Sequence, residues 1–419
     1  MDMGTRNLTS KRTSVVIFIV SFLIYSVITM TRNAFAASIA PVIAEGILPH
    51  TAAGIINAGF YLFNGIGQVA GVKIVDKASP IKLLYVPLVG TLLAMLFMTV
   101  AKSFLSMLII WSLCGLLQFP IWPAVLRMVT EYTLPQHKGK AMKSIIFGFG
   151  AGTFLNYLLA TIILKFATWR ALFVASAVIV AICIVLWMFI TEKGKAKLSA
   201  IKELATKEEI KEDKKSKGFL KTLISSGALL LLVPSFIRLF LDSGLKTWAP
   251  TMFVEIYGAS ASFGSALVTV LSFVNFGGMF FATWLCSKVT KNETTAFGIC
   301  FLVSLPFAVL LLFVGGVSLA VATLSLILIT TMMYASHQLM DVFIPAKFAK
   351  VGMTGGMASL MNGVASLGAV FASVGFGFMA ENFGWRAAFV MQLVLVIITL
   401  ASCIFARPLW EKFGKQEKV

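Results

Sequence analysis

The stretch Trp169-Arg170-Ala171-Leu172-Phe173 opens a long apolar segment, and Trp385-Arg386-Ala387-Ala388-Phe389 opens another one 216 positions later. Two pairs of glycines fall at the same offset without a gap: Gly139 with Gly355, and Gly152 with Gly368. A register kept over this distance indicates that one structural unit has been duplicated in tandem. The sequence therefore predicts two related halves.

Composition places both halves in a membrane. The 419 residues are 59% hydrophobic and only 12% charged, with a mean hydropathy of +0.93. Soluble domains keep roughly 25% charged residues, and a helix crosses a bilayer with about 20 apolar residues. We predict an all-α membrane protein with twelve transmembrane helices in two pseudo-symmetric six-helix bundles. The predicted spans are about 14–44, 51–75, 80–101, 104–132, 141–165, 169–190, 222–253, 260–286, 293–314, 317–343, 354–380 and 385–406.

A single long polar segment separates the halves. It contains the run KEEIKEDKKSK and has no apolar spacing that could form a core. We predict an N-terminal bundle over 1–190, a cytoplasmic linker over 191–221 and a C-terminal bundle over 222–419.

The net charge of +18 follows the topology. If the N-terminus is inside, most of the 35 Lys and Arg residues lie in cytoplasmic loops and tails, which is the positive-inside pattern. We therefore expect both termini in the cytoplasm, a bacterial plasma (inner) membrane location and no nucleic-acid partner. The outer-side exceptions are Lys102, Lys165, Arg170 and Arg386, and the basic residues within spans are Arg32, Arg127, Arg238 and Lys246.

Five scattered cysteines form no metal or disulfide pattern, and no cofactor or nucleophile–base motif is present. We expect no cofactor, no metal and no enzyme activity.

The loop after the second span resembles a signature of the major facilitator superfamily. Residues 71–80 read GVKIVDKASP, similar to that superfamily's G-x-x-x-D-R-x-G. The resemblance implies a structural or gating role for Asp76 and for Lys77, which replaces the usual arginine. It spans the whole chain and implies the same twelve-helix fold.

Within that superfamily, span four is similar to the organophosphate:phosphate antiporters, which include glycerol-phosphate and sugar-phosphate permeases, and to the related anion:cation symporters. Its residues 114–127, CGLLQFPIWPAVLR, resemble the family's G-x-x-Q-G-x-G-W-P-x-x-x-R. Span one adds Thr31-Arg32-Asn33, and span seven adds Trp248-Ala249-Pro250.

The departures from this family concern its phosphate clamp. Asp242 stands where a second substrate-binding arginine is expected, Phe149 replaces a histidine, and Gln68 replaces a lysine. A carboxylate or a zwitterion is therefore an open alternative to a phosphate ester.

Arg32 is the first candidate for a substrate anchor. A charge deep in a membrane helix is expensive unless it faces a cavity or a partner, and a guanidinium can bind carboxylate or phosphate through two parallel hydrogen bonds. The alternative is a structural ion pair.

Span seven carries a stripe of alternating charge. Arg238, Asp242 and Lys246 recur every four residues, so they share a helix face and can partly neutralise one another. Asp242 could pair with Arg32 and be displaced by a substrate anion, bind a substrate amine, or carry a coupling proton. Arg238 or Lys246 would add a second contact to the anion.

Other polar residues complete the candidate site. His337 and Asp341 could relay a proton or cap a loop, and Arg127 with Glu131 is a structural or gating pair. The remaining substrate-binding candidates are Tyr61, Asn64, Gln68, Gln118 and Trp122. We expect Gln118 and Trp122 on one face of span four, with a kink at Trp122 and Pro123.

Together these features predict a secondary active transporter of a small organic anion, a phosphate ester or carboxylate, working by alternating access around a site between the halves. The alternatives are a proton-coupled transporter of a zwitterionic or drug-like solute, and a transporter-like sensor. The expected partners are the lipid bilayer and a coupling ion or counter-substrate (proton, sodium or phosphate). We expect a monomer.

Overall fold

The computed structural model describes residues 3–71, 74–75, 78–132, 141, 145, 147–206, 219–348 and 354–415, and the regular structure of these residues is helical. The helices of the first half are α1 (Met3–Arg32), α2 (Ala34–Ala44), α3 (His50–Ala70), α4 (Pro80–Leu83), α5 (Tyr85–Val100), α6 (Phe104–Leu117), α7 (Ile121–Tyr132), α8 (Phe147–Phe166) and α9 (Trp169–Thr206). The helices of the second half are α10 (Phe219–Ser225), α11 (Leu232–Tyr257), α12 (Ala261–Trp284), α13 (Glu293–Phe313), α14 (Leu319–Gln338), α15 (Ile344–Lys347), α16 (Thr354–Phe383) and α17 (Trp385–Lys415). Two π-helical turns, Leu285–Thr290 and Leu339–Phe343, follow α12 and α14.

Ten helical segments within the described residues are long and apolar enough to cross a membrane. Helices α3 and α11, with 21 and 26 residues, have spanning length but lie outside that set. Helix α11 lies outside the set because three charged residues, Arg238, Asp242 and Lys246, fall within 18 consecutive residues of it. The all-α membrane fold is confirmed, whereas the count of twelve helices remains a prediction.

The chain divides into two compact units. The first contains Met1–Ser38 and Leu62–Glu212, and the second contains Ile39–Tyr61 and Asp213–Val419. The boundary therefore runs through α2 and α3, whose sequence lies in the first half.

The repeated glycines have equivalent positions in the two units. In the first unit, a Cβ at Gly152 of α8 would overlap the carbonyl oxygen of Ser26 in α1. In the second unit, a Cβ at Gly368 of α16 would overlap the carbonyl oxygen of Phe236 in α11. Small residues allow such close approach of membrane helices, and here they join the fifth predicted span to the first and the eleventh to the seventh. Gly139, of the other repeated pair, lies outside the described residues.

The polar segment after span six begins as a continuation of a membrane helix. Helix α9 runs without a break from Trp169 to Thr206, past the predicted end of the span at 190. Helix α10 then begins at Phe219, and the charged run between them lies outside the described residues. The predicted domain boundaries at 190 and 222 remain predictions.

Candidate functional site

Arg32 lies at a break in the first span. Helix α1 ends at Arg32 and α2 begins at Ala34, with Asn33 in a turn between them. Asn156 of α8 donates to the Asn33 carbonyl at 3.0 Å, and the same oxygen also accepts from the Ala37 N–H of α2 at 2.9 Å. The guanidinium of Arg32 is partly buried, and its Nε donates to Oε1 of Gln118 at 3.0 Å.

Gln118 links Arg32 to two other helices. Its Nε2 donates to the Oγ1 atoms of Thr91 (2.8 Å) and Thr31 (3.3 Å). The side-chain amide has a defined orientation because a guanidinium only donates, so the atom facing Arg32 must be the oxygen. Gln118 and Thr91 are both fully buried.

The fourth span is broken where Gln118 stands. Helix α6 ends at Leu117 and α7 begins at Ile121. Pro120 has no N–H to donate, so a helical hydrogen bond is lost at this position. The kink was expected at Trp122 and Pro123; instead Pro123 lies in the first turn of α7, where a missing N–H is tolerated. Gln118 and Trp122 therefore do not share a face of one continuous helix.

Glycines let neighbouring helices pack against this break. A Cβ at Gly67 of α3 would lie 2.7 Å from the Cβ of Phe119, and a Cβ at Gly90 of α5 would lie 2.7 Å from the Cβ of Leu117. Trp122, at the start of α7, packs on the ring of Tyr25 with a centroid distance of 5.5 Å.

The polar residues of α3 lie near the same break. Nδ2 of Asn64 donates to the Gly115 carbonyl at 2.9 Å, and Nε2 of Gln68 donates to Oδ1 of Asn64 at 2.9 Å. Asn64 is buried and Gln68 is exposed. Tyr61 belongs to the other compact unit, where its ring meets Phe60 edge-on.

In the second unit, the charge stripe of α11 has two different sets of contacts. Nζ of Lys246 lies 2.6 Å from Oδ1 of Asp242 and 4.7 Å from the centre of the Tyr334 ring. Both charged residues are buried. The expected neutralisation within the stripe is therefore present for this pair.

Arg238, by contrast, contacts a carboxylate on another helical segment. Its Nη2 lies 3.3 Å and 3.5 Å from the two oxygens of Asp341, in the π-helical turn after α14. His337 Nδ1 contacts the second of these oxygens. Arg238 is 1% exposed, and its Nε and Nη1 have no hydrogen-bond partner among the described residues. The stripe residues were expected to neutralise one another in part, which the Lys246–Asp242 pair does. Arg238 instead contacts Asp341, a partner on another segment that helical spacing does not reveal.

Arg127 connects α7 to the loop after α3. Its Nε donates to Oε1 of Glu131 at 2.7 Å, and its Nη1 donates to the carbonyls of Val75 and, at 2.8 Å, Ala78. The predicted Arg127–Glu131 pair is formed. Asp76 and Lys77 lie outside the described residues.

A second polar cluster surrounds the start of α3, within the second unit. His50 Nε2 lies 2.6 Å from Oε1 of Glu255, whose Oε2 accepts from Trp385 Nε1 at 2.9 Å. The backbone N–H of Thr51 donates to Oε2 of Glu381 at 2.7 Å. Glu255 lies beyond the predicted span 222–253. Partial burial raises the pKa of its carboxyl, but the hydrogen bonds from His50 and Trp385, with the charge of His50, outweigh this effect and place the pKa below its ordinary value.

Sequence reasoning missed several members of these clusters. Thr91, Tyr334 and His50 belong to no motif, and each is the partner of a charged or amide group on another helix. Within the described residues, no group of three His, Cys, Asp or Glu side chains could hold a metal ion.

Long apolar helices, together with charged and amide side chains buried among them, define a polytopic membrane protein. The chain belongs to the Major Facilitator Superfamily, whose family model matches residues 18–373. The predicted affiliation and the transporter class are therefore confirmed: the protein is a multi-pass membrane transporter of a small molecule and not an enzyme.

Two curated relatives share the name "Probable hexose phosphate transport protein". The relative from Chlamydia muridarum (strain MoPn / Nigg) is 23% identical over 317 residues, covering 70% of this chain and 69% of that protein. The relative from Chlamydia pneumoniae is 22% identical over 313 residues, with the same coverage of 70% and 69%. This similarity confirms the predicted likeness to sugar-phosphate permeases.

Solved structures of transporters have the same fold. A bacterial homolog to the human lysosomal transporter Spinster, in an inward-facing and occupied conformation, matches with a TM-score of 0.79 at 14% identity, covering 96% of this chain and 98% of that chain. A D-xylose-proton symporter matches with a TM-score of 0.71 at 12% identity, covering 94% and 97%.

Proposed function

We propose that this protein is a secondary active transporter of a small organic anion, a phosphate ester or a carboxylate, and that it works by alternating access of its two halves. The observation that carries the proposal is the position of Arg32. It lies within the candidate span Val15–Ala44, partly buried, and is held by a side-chain amide.

A guanidinium in this position is suited to an anion. Its burial in a membrane span costs about 2.5–3.5 kcal/mol on insertion scales, so the position calls for a function or a compensating partner. Its Nε donates to the side-chain amide of Gln118. The planar fork favours bidentate binding of a phosphate or carboxylate.

The second unit supplies further cationic groups. Two buried guanidinium nitrogens of Arg238, Nε and Nη1, have no hydrogen-bond partner among the described residues, and a buried donor left unsatisfied costs about 1–3 kcal/mol. An arriving anion would satisfy these donors and weaken the contact with Asp341. Lys246 would add a further contact if the anion displaces Asp242 from it. We retain Tyr61, Asn64, Gln68 and Trp122 as proposed lining residues.

The names of the two Chlamydia relatives favour a hexose phosphate among organic anions. The carboxylates of Asp242 and Asp341 next to the basic residues of α11 favour a less strongly charged anion, or a zwitterion whose amine would meet Asp242. Glucose 6-phosphate, gluconate and glycine therefore represent the three substrate classes to compare.

Counterflow in proteoliposomes tests the proposal. Vesicles loaded with each unlabelled compound are diluted into a trace of the labelled compound, and a carrier accumulates the label transiently. We expect Arg32→Lys and Asp242→Asn to abolish or strongly reduce exchange, whereas the control Arg170→Lys, outside the proposed site, exchanges normally. Normal exchange by both site variants would end the proposal.

Proton coupling is a second candidate feature. Asp341 contacts both Arg238 and His337, so a proton gained at either titratable group would change the hold on Arg238. Asp341→Asn is then expected to keep counterflow but lose accumulation driven by a pH gradient. If accumulation persists in this variant, the coupling ion acts elsewhere.

We also propose that the protein is a monomer in a bacterial inner membrane with both termini in the cytoplasm. The distribution of lysine and arginine along the chain supports the cytoplasmic position of the termini. Alkaline phosphatase fused after residue 419 should be inactive, and the same enzyme fused within the loop 45–49 should be active. The reverse result would invert the topology.

A further inference from the structure

We infer that Thr91 and Gln118 are positioning residues that hold the Arg32 guanidinium in the orientation needed to receive an anion. This inference deepens the proposed function and rests on the proposed role of Arg32 as the anion anchor. It assigns a role to Thr91, and it replaces direct substrate contact by Gln118 with an indirect one.

The first argument is burial. Gln118 has no exposed surface, so it can act on a solute only through a neighbour. Arg32, in contrast, is partly exposed. The 3.0 Å hydrogen bond between Arg32 Nε and Gln118 Oε1 uses the inner N–H of the guanidinium. The Nη1–Nη2 edge of the planar group can still bind an oxyanion through two parallel hydrogen bonds.

The second argument is the hydrogen-bond arrangement of the Gln118 amide. Both N–H groups have acceptors, the hydroxyl oxygens of Thr91 and Thr31. The hydroxyl of Thr31 itself donates to the Ile28 carbonyl at 2.7 Å, so its oxygen must accept from Gln118. An amide rotated by half a turn would present N–H groups to the guanidinium, which has no acceptor. Thr91 and Thr31 therefore fix the rotation that keeps an acceptor on Arg32.

The third argument is the backbone around Gln118. Gln118 is the C-terminal cap of α6, in the non-helical stretch before α7, and its own N–H donates to the Cys114 and Gly115 carbonyls. Asn64 holds the same Gly115 carbonyl from α3. Helices α1, α3 and α5 thus all form hydrogen bonds with the segment around Gln118 in the fourth span. Groups that are held in place before a ligand binds lose little conformational entropy on binding.

A purely structural role for these contacts makes a different prediction. If Thr91 only joins α5 to α6, its loss lowers stability and leaves the anion affinity of the folded fraction unchanged. If Thr91 positions Arg32, loss of the Thr91 hydroxyl makes the guanidinium mobile and weakens anion binding. Thr91→Ser keeps the hydroxyl, so it should keep both the ordered guanidinium and the anion affinity.

The experiment uses the full chain in nanodiscs with ¹⁵N-labelled arginine. The first measurement is the rate at which the Arg32 Nε–H exchanges with water, assigned by its absence in Arg32→Lys. It requires no ligand. We expect slow exchange in the wild type and Thr91→Ser, and faster exchange in the isosteric Thr91→Val.

The second measurement is the affinity for glucose 6-phosphate and for inorganic phosphate. Loss of one hydrogen bond in the chain of contacts is expected to weaken binding about tenfold in Thr91→Val. Gln118→Glu keeps the shape of the side chain but places a carboxylate against Arg32, so it is expected to abolish anion binding in a folded protein.

The two failures are distinguishable. Equal exchange rates in the wild type and Thr91→Val would overturn the positioning role, whatever the binding data show. If Arg32→Lys binds phosphate esters as tightly as the wild type does, the proposed function is overturned. The proposed positioning of Arg32 would then have no purpose. An affinity loss that Thr91→Ser does not restore would also contradict the inference.

Discussion

Replacing Arg238 with methionine should destabilise the protein by leaving Asp341 without its guanidinium partner. Methionine keeps an apolar stem and removes the guanidinium. Arg238 is 1% exposed, and its described partner is Asp341, at 3.3 Å and 3.5 Å from Nη2. His337 remains as the other contact of the carboxylate.

The expected magnitude follows from burial. Breaking a buried ion pair by removing one partner costs about 3–5 kcal/mol. The Asp341 side chain is 23% exposed and retains His337, and methionine also removes two buried guanidinium nitrogens that lack partners among the described residues. We therefore expect the lower end, about 3 kcal/mol. The double variant Arg238→Met/Asp341→Leu removes both charges and should cost about 1 kcal/mol or less, which gives a coupling energy of about 2 kcal/mol or more.

The assay is equilibrium unfolding in mixed micelles of a mild detergent and dodecyl sulfate. The matched control is Arg407→Met, because Arg407 forms an exposed pair with Glu411 at 2.8 Å, with 57% and 40% of the side chains exposed. Such exposed helical pairs contribute about 0.3–0.5 kcal/mol. The reasoning is refuted if Arg238→Met is as mild as Arg407→Met, or if the double variant loses as much stability as the sum of the single variants.

Three further predictions concern other contacts. Glu255→Gln should lower the unfolding temperature at pH 7. The pKa of Glu255 in the folded protein lies below its ordinary value of 4.5. The ionised carboxylate therefore stabilises the protein fully above pH 4.5, and this stabilisation disappears as the pH falls through the folded-state pKa. Gly152→Ala and Gly368→Ala should each cost about 1–3 kcal/mol by overpacking, measured by the same unfolding assay, because each new Cβ would overlap a backbone carbonyl. Arg127→Lys should leave the protein folded but increase the hydrogen exchange of residues 74–79, since lysine cannot bond two carbonyls and a carboxylate in one fork.

Each of these predictions has its own control. The Glu255 effect must vanish in acid; a stability difference that stays constant from pH 7 to pH 3 would assign it to packing. Gly277→Ala serves as the control for the glycine variants, because a Cβ there has nothing within 4 Å, and equal losses at all three positions would remove the close-approach argument. Unchanged exchange at 74–79 in Arg127→Lys would show that the loop is held by other contacts.

The sequence was sufficient for the architecture because its signals are local or periodic. Apolar length predicts membrane helices, and the shared offset of Gly152 and Gly368 predicted a duplication that the structure expresses as matching helix contacts. The α6–α7 break was misplaced because span four contains two prolines three residues apart, and only Pro120 lies where a helical hydrogen bond must be lost. Pro123 falls in a first turn, a distinction that depends on where α7 begins.

The partners of the buried charges could not be predicted from the sequence. Spacing of four residues correctly paired Asp242 with Lys246, because both lie on one helix. It could not pair Arg238 with Asp341, which is 103 residues away in the chain. Nor could it predict Thr91, since a threonine in an apolar span has no periodic signal and matters here only through its contact with Gln118.

The duplication constrains packing more strictly than chemistry. Gly152 and Gly368 perform the same task in their separate units, where any side chain would collide with a neighbouring backbone. The charged centres differ: in the first unit Arg32 donates to a neutral amide, while in the second Arg238 contacts a carboxylate that also contacts a histidine. An amide is a neutral hydrogen-bond acceptor for a guanidinium. A carboxylate is itself an anion, so it competes with any other anion that binds the same guanidinium. If the proposed substrate is an anion, it must therefore compete with Asp341 for Arg238.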